Sequence, residues 1–565
     1  MYVSTQALGN IITPERQENG KVERKMKAIV FAVQVEAVAP DLNDNTADLD
    51  RLQQALVRCL NDGRPLSVPL RCMTSVARDF RKAGFKGFAL LNNLENGWAI
   101  VAFSAEEPTV IAAMALDLGT THLEATLVNL QDGKTLAAAN VENAQIAYGA
   151  DILSRIHHAT AKRRQQKPVD SEFQDPGLEE LQNTIVSSIN ELVDELAIKA
   201  GLASRDIRAL SVSGNTTMTH LLLGIDPYTL CREPYIPLFN RAQGIEASQL
   251  KLHLSPVAPL FIMPSVGSYF GGDLIAGILA SGMANSAKTR MLIDVGTNAE
   301  VVLGNSEWLI ACAGAAGPAL EGGVARMGMR AGPGAIEYVS INPRTYTIDF
   351  RTIGDVAPIG LCGSGLIDLV AALYLTQVID IRGKFRDPAG EKDPMRKKFM
   401  SHHLLSRNGE TCFVLALAGD SGAEDDVVLE QIDLDAMIRS KAAMYAILRT
   451  LTNQVGLEFS DLDEITVAGA FGRHINPECA ITLGMLPDLP LSVYRPIGNS
   501  SLAGAEKVLF DEDARQECER IVSNITYLEL NVNQEFMIRF SGARFIPHTD
   551  PALFPSVPLF DSKNG

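Results

Sequence analysis

The sequence contains no uninterrupted apolar run of the roughly 18 residues that a membrane-spanning helix needs. Its first residues, MYVSTQALGNIITPERQENGKVERK, also lack the basic-then-apolar layout of a signal peptide. A cytoplasmic protein with no membrane partner is the expectation. Basic charge is in short supply: 50 Lys and Arg stand against 67 Asp and Glu, a net charge of −17. A nucleic-acid backbone would be repelled over most of such a surface, so nucleic acid is not an expected partner. The eight cysteines are dispersed, no two closer than 13 positions. That spacing excludes C-x2-C and plant-type iron–sulfur motifs. Dispersed thiols read as small buried hydrophobes. An iron–sulfur cluster would have to gather distant cysteines, or one pair from each subunit of a homodimer. The two tryptophans, Trp98 and Trp308, read as packing residues.

What is present looks globular. Hydrophobic residues make up 46% of the chain and charged ones 21%. A chain of 565 residues is too long for one core and predicts about three domains. Residues 1–27 read as a flexible leader. Residues 28–110 read as a small α+β domain without an obvious site. Its helix places Leu49, Leu52, Leu56 and Leu60 on one face, and GFALLNN and WAIVAFS follow as strands. Residues 111–565 divide into two similar halves, lobe one about 111–285 and lobe two about 286–565. A charged, Gly/Pro-punctuated insertion spans about 384–430, with the strand CFVLAL inside it.

Each half opens on the same hairpin. LDLGTTHLEATLV and IDVGTNAEVVL share the order apolar–Asp–x–Gly–Thr–Thr/Asn followed by a β-run. Gly119 and Gly296 permit a tight turn and close backbone approach. Thr120, Thr121, Thr297 and Asn298 add donors beside the turn N–H groups, a concave array suited to phosphate oxygens. Asp117 and Asp294 would repel bare phosphate. They fit if Mg²⁺ stands between, directly or through water, or if they position a water for attack on a γ-phosphoryl. Either role makes them the candidate catalytic and metal residues.

In each half, strands in a meander lead to an amphipathic helix and then another strand. In the first half that helix buries Leu181, Ile185, Ile189, Leu192 and Leu196. Duplicated α/β halves suggest a cleft. Three further glycine clusters supply candidate site residues: Gly214 and Asn215 at a strand-to-turn junction, Gly363, Ser364 and Gly365 at a helix N-terminus that favours an anion, and Gly469, Ala470 and Gly472 against an adenosine. His157, His158 and His220 lack a second ligand at a metal-binding spacing, and read as solvent-facing or capping.

The order of these motifs, with the helical segments GGDLIAGILASG and GNSSLAGAEKVL between and after them, resembles the acetate and sugar kinase, heat-shock ATPase and actin superfamily. Within it, DLGTT, YGADILSRI, GNTTMTHLLLG, DVGTNAE, AAGPALEGG, GLCGSGLIDLV, VAGAFG and the tail ARFIPHTDPALFP resemble the reductive activators of corrinoid proteins, over residues 28–565. The resemblance implies duplicated ribonuclease-H-like lobes with an ATP cleft, and two connecting helices across which the lobes hinge. It places residues 28–110 as the family's middle domain. It implies an ATPase that docks on a corrinoid (cobalamin) methyl-transfer protein and helps return Co(II) to Co(I), with ATP and Mg²⁺ as cofactors. Family members carry a fused iron–sulfur domain. Residues 1–27 are too few for one, so an external low-potential electron donor is expected. After Cys312 stands Ala313, where many relatives carry a hydroxyl residue. Two other functions fit the same fold: an ATP-switched scaffold or chaperone for a cobalamin protein, and a small-molecule kinase, for which no acceptor base stands out.

Overall fold

The computed structural model describes residues 27–161, 175–295, 299–314, 325–329, 331–407, 409–419, 421–422, 425–528, 530 and 534–560. The chain forms two compact units, one of Met1–Ala276 with Ser501–Val522 and one of Gly277–Ser500 with Ser523–Gly565. Among the described residues no helix is long and apolar enough to cross a membrane.

The first unit begins with a four-stranded sheet, in which β1 (Val30–Glu36), β2 (Leu66–Ser67), β3 (Lys86–Leu94) and β4 (Gly97–Ser104) take the order β1-β3-β4-β2. Its helix Asp48–Leu60 buries Leu52, Leu56 and Leu60, with Leu49 packed at the edge of the same cluster. Trp98 is buried there against Phe31. Leu502, Ala505 and Leu509 join this core, so the sequence-remote helix Ser500–Phe510 brings its C-terminal part back to the first unit. Chain order alone assigns that segment to the second lobe.

The larger sheet of this unit is built from β5 (Ala112–Leu118), β6 (His122–Asn129), β7 (Thr135–Glu142), β8 (Ile207–Gly214), β9 (Ile245–Glu246) and β10 (Pro259–Ile262). Their order is β7-β6-β5-β8-β10-β9. Strands β5, β6 and β7 form an antiparallel meander, and β8 and β10 continue parallel to β5. The helix Pro176–Ala200 makes the crossover to β8. Asp175 caps it by accepting from the Gly177 N–H, Pro176 occupies its first turn, and Gly201 closes it in the left-handed conformation. Leu181, Ile185, Ile189, Leu192 and Leu196 are fully buried along its inner stripe, as their spacing predicts.

The second unit repeats this plan. Strands β11 (Arg290–Val295), β12 (Ala299–Gly304) and β13 (Leu309–Gly314) form the meander. Two small sheets intervene. The first orders β14 (Ala335–Ile341), β15 (Ile348–Thr352) and β16 (Gly360–Leu361) as β15-β14-β16. The second consists of β17 (Leu404–Arg407), β18 (Glu410–Ala416) and β19 (Val427–Glu430), paired in that order. It contains the CFVLAL strand of the expected insertion. The helix Gln431–Gln454 then leads to β20 (Glu464–Ala468) and β21 (Tyr494–Gly498), both parallel to β11, and β22 (Ile525–Tyr527) borders β13. The order β21-β20-β11-β12-β13 matches β10-β8-β5-β6-β7 of the first unit. The fold is therefore a duplicated, mixed α/β architecture of the ribonuclease-H-like, actin and sugar-kinase type, preceded by a small α+β domain.

Candidate functional site

The two hairpins place their aspartates equivalently. Asp117 is the penultimate residue of β5 and Asp294 the penultimate residue of β11. Each faces a glutamate across the antiparallel pair, Asp117 opposite Glu124 and Asp294 opposite Glu300. Like charges directly opposite each other cost stability. Among the described residues no group of three or more His, Cys, Asp and Glu side chains gathers as a metal site; each aspartate stands with one glutamate, carboxylates of the oxygen-donor kind that a hard divalent cation takes. On the parallel side, Asp117 adjoins Ser213, and Asp294 adjoins Ala468.

In the first unit the turn after Asp117 is held from behind. Asn143 donates through Nδ2 to the Gly119 carbonyl at 2.9 Å, and its N–H donates to the Thr121 carbonyl at 2.9 Å. Between them, Arg155 donates through Nη2 to the Thr120 carbonyl at 2.6 Å. All three turn carbonyls are thus engaged on one side. The N–H groups of Gly119, Thr120 and Thr121 make no hydrogen bond to the protein among the described residues. They remain available to an anion.

Asn215 closes the other edge. Its Nδ2 donates to Thr120 Oγ1 at 3.0 Å, while its Oδ1 caps the helix Thr216–Leu223 by accepting from the Met218 N–H at 2.9 Å. A Cβ on Gly271 would lie 2.3 Å from Asn215 Cα and 2.6 Å from Asp273 Oδ1. The bare glycine lets the Asp273 carboxylate stand beside the Gly214–Asn215 turn. Ser501 donates through Oγ to Asp117 Oδ1 at 2.7 Å and meets Ser213 Oγ at 2.9 Å. The structure therefore gathers Asp117, Gly119, Thr120, Thr121, Gly214 and Asn215 around one turn. It adds Asn143, Arg155, Asp273 and Ser501, which the sequence reading missed. Arg155, Asp273 and Ser501 lie within stretches quoted for their resemblance, but nothing local in the sequence ties them to the turn.

In the second unit, Gly296, Thr297 and Asn298 lie outside the described residues. The AAGPALEGG loop does too, while Ala313 ends up in β13. Gly469 begins the helix that follows β20 with φ +82°, and a Cβ there would lie 2.8 Å from Asp294 Oδ1. Gly472 packs on the Val467 carbonyl, where a Cβ would approach to 2.7 Å. Ala470 lies in the same short helix. Gly363, Ser364 and Gly365 do open a helix, Gly363–Leu375, but all three are buried. A Cβ at Gly365 would lie 2.1 Å from the Ile336 carbonyl, so close packing against β14 accounts for this glycine without a ligand.

The histidines divide. His157 is exposed, and His158 pairs with Glu180 at 2.8 Å. His220 is fully buried, contrary to the expectation of a solvent-facing or capping residue. Its Nδ1 meets the Thr216 carbonyl at 2.7 Å and its ring stacks on Phe239, while burial pulls its pKa down. Five cysteines are buried, and Cys59 is exposed, unlike the buried small hydrophobe its dispersion suggests. Burial pushes the Cys518 thiol up to about 12.

Comparison with known proteins gives the family. Three family models match successive parts of the chain: the RACo linker region over residues 20–108, the RACo middle region over 112–286, and the C-terminal ASKHA domain of RACo over 288–558. Residues 28–110 thus correspond to the family's linker, not to its middle domain. The chain is 32% identical over 467 residues to the corrinoid activation enzyme RamQ of Eubacterium limosum, covering 82% of this chain and 75% of that protein. It is 22% identical over 439 residues to a [Co(II) methylated amine-specific corrinoid protein] reductase of Methanosarcina barkeri, covering 73% of this chain and 72% of that one. A solved reductive activator for corrinoid, iron-sulfur protein matches with a TM-score of 0.83 and 37% identity, covering 94% of this chain and 81% of its own. From its linker to its C-terminal ASKHA domain, the chain belongs to the RACo family, the reductive activators of corrinoid proteins.

Proposed function

We propose that this protein binds ATP with Mg²⁺ and uses it to assist the reduction of a corrinoid protein from Co(II) to Co(I). The observation that carries the nucleotide part is the β5–β6 turn. Its three carbonyls are tied back, its N–H groups make no hydrogen bond to the protein among the described residues, and a carboxylate stands at its edge. The corrinoid part rests on the relatives, whose names specify corrinoid activation or corrinoid reduction.

In this reading Gly119, Thr120 and Thr121 bind phosphate oxygens through backbone N–H groups, with Asn215 fixing the Thr120 hydroxyl. Asp117 in the first unit and Asp294 in the second are each assigned to Mg²⁺, directly or through water, or to orienting the attacking water. The ion supplies charge neutralisation at the phosphates. The second turn, Gly296–Asn298, is assigned the equivalent phosphate role, and Gly469, Ala470 and Gly472 the adenosine. The electron comes from a separate low-potential donor, consistent with eight cysteines that carry no cluster spacing. ATP contributes only through the difference in its affinity for the states it favours and disfavours.

The test combines the protein, ATP, Mg²⁺, a low-potential reductant and a Co(II) corrinoid methyl-transfer protein, followed by absorbance. ATP-dependent appearance of the Co(I) spectrum is the expected result. ATP hydrolysis without any Co(I) would overturn the corrinoid half of the proposal. Failure to bind ATP would overturn the nucleotide half.

A further inference from the structure

Arg155 is fully buried in the first unit, on the short helix Ile152–Ala159. Its guanidinium spends its donors on neutral acceptors: Nε on the Gly149 carbonyl at 3.0 Å, Nη1 on Gln145 Oε1 at 3.2 Å and on Met218 Sδ at 3.2 Å, and Nη2 on the Thr120 carbonyl at 2.6 Å. No carboxylate among the described residues forms an ion pair with it. The N-cap Asp151 acts on it only through the field, its oxygens being engaged by Ser154. Burial lowers its pKa to about 10, which still leaves it charged at neutral pH. A buried cation with no ion-pair partner costs several kcal/mol. Three carbonyl-type oxygens and a thioether sulfur stabilise it but do not neutralise it.

The position of this charge makes sense of its cost. A peptide unit is planar, and its C=O and N–H point in opposite directions. Arg155 pulls the Thr120 carbonyl inward, so the Thr121 N–H of the same peptide is turned the other way. Asn143 does the same to the Gly119 carbonyl and hence to the Thr120 N–H. The arginine lies behind the turn, and a phosphate on those N–H groups would lie in front of it, one peptide away.

We propose that Arg155 is a positioning residue for the polyphosphate: it orients the Thr120–Thr121 peptide and supplies the buried positive charge that the bound phosphates balance. This rests on the nucleotide reading above and deepens it. The neutral brace, Asn143, sets geometry alone, whereas Arg155 sets geometry and charge.

The two contributions separate by ligand charge. Affinities for adenosine, AMP, ADP and ATP with Mg²⁺ would be measured calorimetrically on the full chain, for the native protein, Arg155→Gln and Arg155→Lys. In Arg155→Gln the loss should grow with phosphate number, from little for adenosine to about tenfold or more for ATP. Arg155→Lys keeps the charge and should recover part of the ATP affinity. Raised ionic strength should weaken ATP binding less in Arg155→Gln than in the native protein. A uniform loss across all four ligands, or no loss at all, would overturn the proposal and leave a purely structural brace. If Arg155→Gln fails to fold, the lysine variant decides alone: a loss confined to the phosphorylated ligands supports the positioning role, and an equal loss for all four ligands, or none, overturns it. Native protein that binds none of the four would refute the nucleotide reading itself, a result distinguishable from either variant outcome.

Discussion

Ser501 donates a hydrogen bond to Asp117, Oγ to Oδ1 at 2.7 Å, across 384 positions of sequence. Ser213, beside Asp117 on the neighbouring parallel strand, meets the same hydroxyl at 2.9 Å. Asp117 therefore carries one oxygen fixed by a buried hydroxyl pair. A hydrogen bond to a charged group contributes about 1.5–3 kcal/mol. If Asp117 orients metal or water, Ser501→Ala should lower ATP turnover about tenfold while changing ATP affinity less. Ser213→Ala, one bond further away, should have the smaller effect. Steady-state hydrolysis with parallel ATP titrations checks this. Undiminished turnover in Ser501→Ala would remove the hydroxyl pair from the mechanism.

Gly469 meets Asp294 in the second unit. Its φ is +82°, and an added Cβ would lie 2.8 Å from Asp294 Oδ1 and 2.9 Å from the Val295 carbonyl. The Val295 carbonyl is backbone and cannot swing away. Gly469→Ala should cost about 1–3 kcal/mol in stability, read as a thermal shift of several degrees. It should also weaken ATP binding, because the same methyl displaces the Asp294 carboxylate. A variant with native thermal stability would show that the approach of Gly469 to Asp294 is looser than its geometry.

These two relationships mark where the sequence is readable. The hairpins at Asp117 and Asp294 were legible because strand, turn and strand are adjacent and occur twice. The stripe Leu181–Leu196 was legible because helical periodicity is local. Contacts closed by the fold left no such trace. Asn143 and Arg155 reach the turn from later segments, and Ser501 returns from the far end of the chain. At Gly365 the letter alone does not show that an added Cβ would meet the Ile336 carbonyl at 2.1 Å, because a glycine at a helix start is the same letter whether it faces a ligand or a neighbouring strand. His220 lies in a helix in which every residue from Thr216 to Leu222 is buried. The apolar run THLLL was the signal that this histidine is interior.

The C-terminal tail gives a third prediction. Lys441, fully buried in the helix Gln431–Gln454, donates through Nζ to the Phe545 and Pro547 carbonyls at 2.5 and 2.7 Å. Burial holds its pKa well below the usual lysine range. The segment ARFIPHTDP is thus tied to the second unit's core by one amine. Lys441→Met keeps the aliphatic volume but strands both carbonyls, a loss of about 1–3 kcal/mol for each unsatisfied group. Limited proteolysis should then cut near residues 543–551 faster than in the native protein, while the β5–β6 turn of the first unit still binds its ligand. Equal cleavage rates would show that the tail is held by its apolar contacts alone.

Asp368 predicts how stability varies with pH. It is 3% exposed on the helix Gly363–Leu375, where Oδ2 accepts from the Val339 N–H at 3.5 Å. Burial pushes its carboxyl above the ordinary aspartate value, against weaker opposition from the Cys479 thiol, the Val339 N–H and Arg351. A carboxyl whose folded pKa is raised contributes stability in full below its unfolded pKa of about 3.9. That contribution is lost as pH rises through the folded value. Asp368→Asn preserves the shape and cannot ionise, so it removes this loss. The melting temperature of the variant relative to the native protein should therefore increase from about pH 4 to about pH 8, in a buffer series at fixed ionic strength. A constant difference across that range would mean that Asp368 titrates alike in the folded and unfolded chain, and a decreasing one that the fold favours the charged carboxylate.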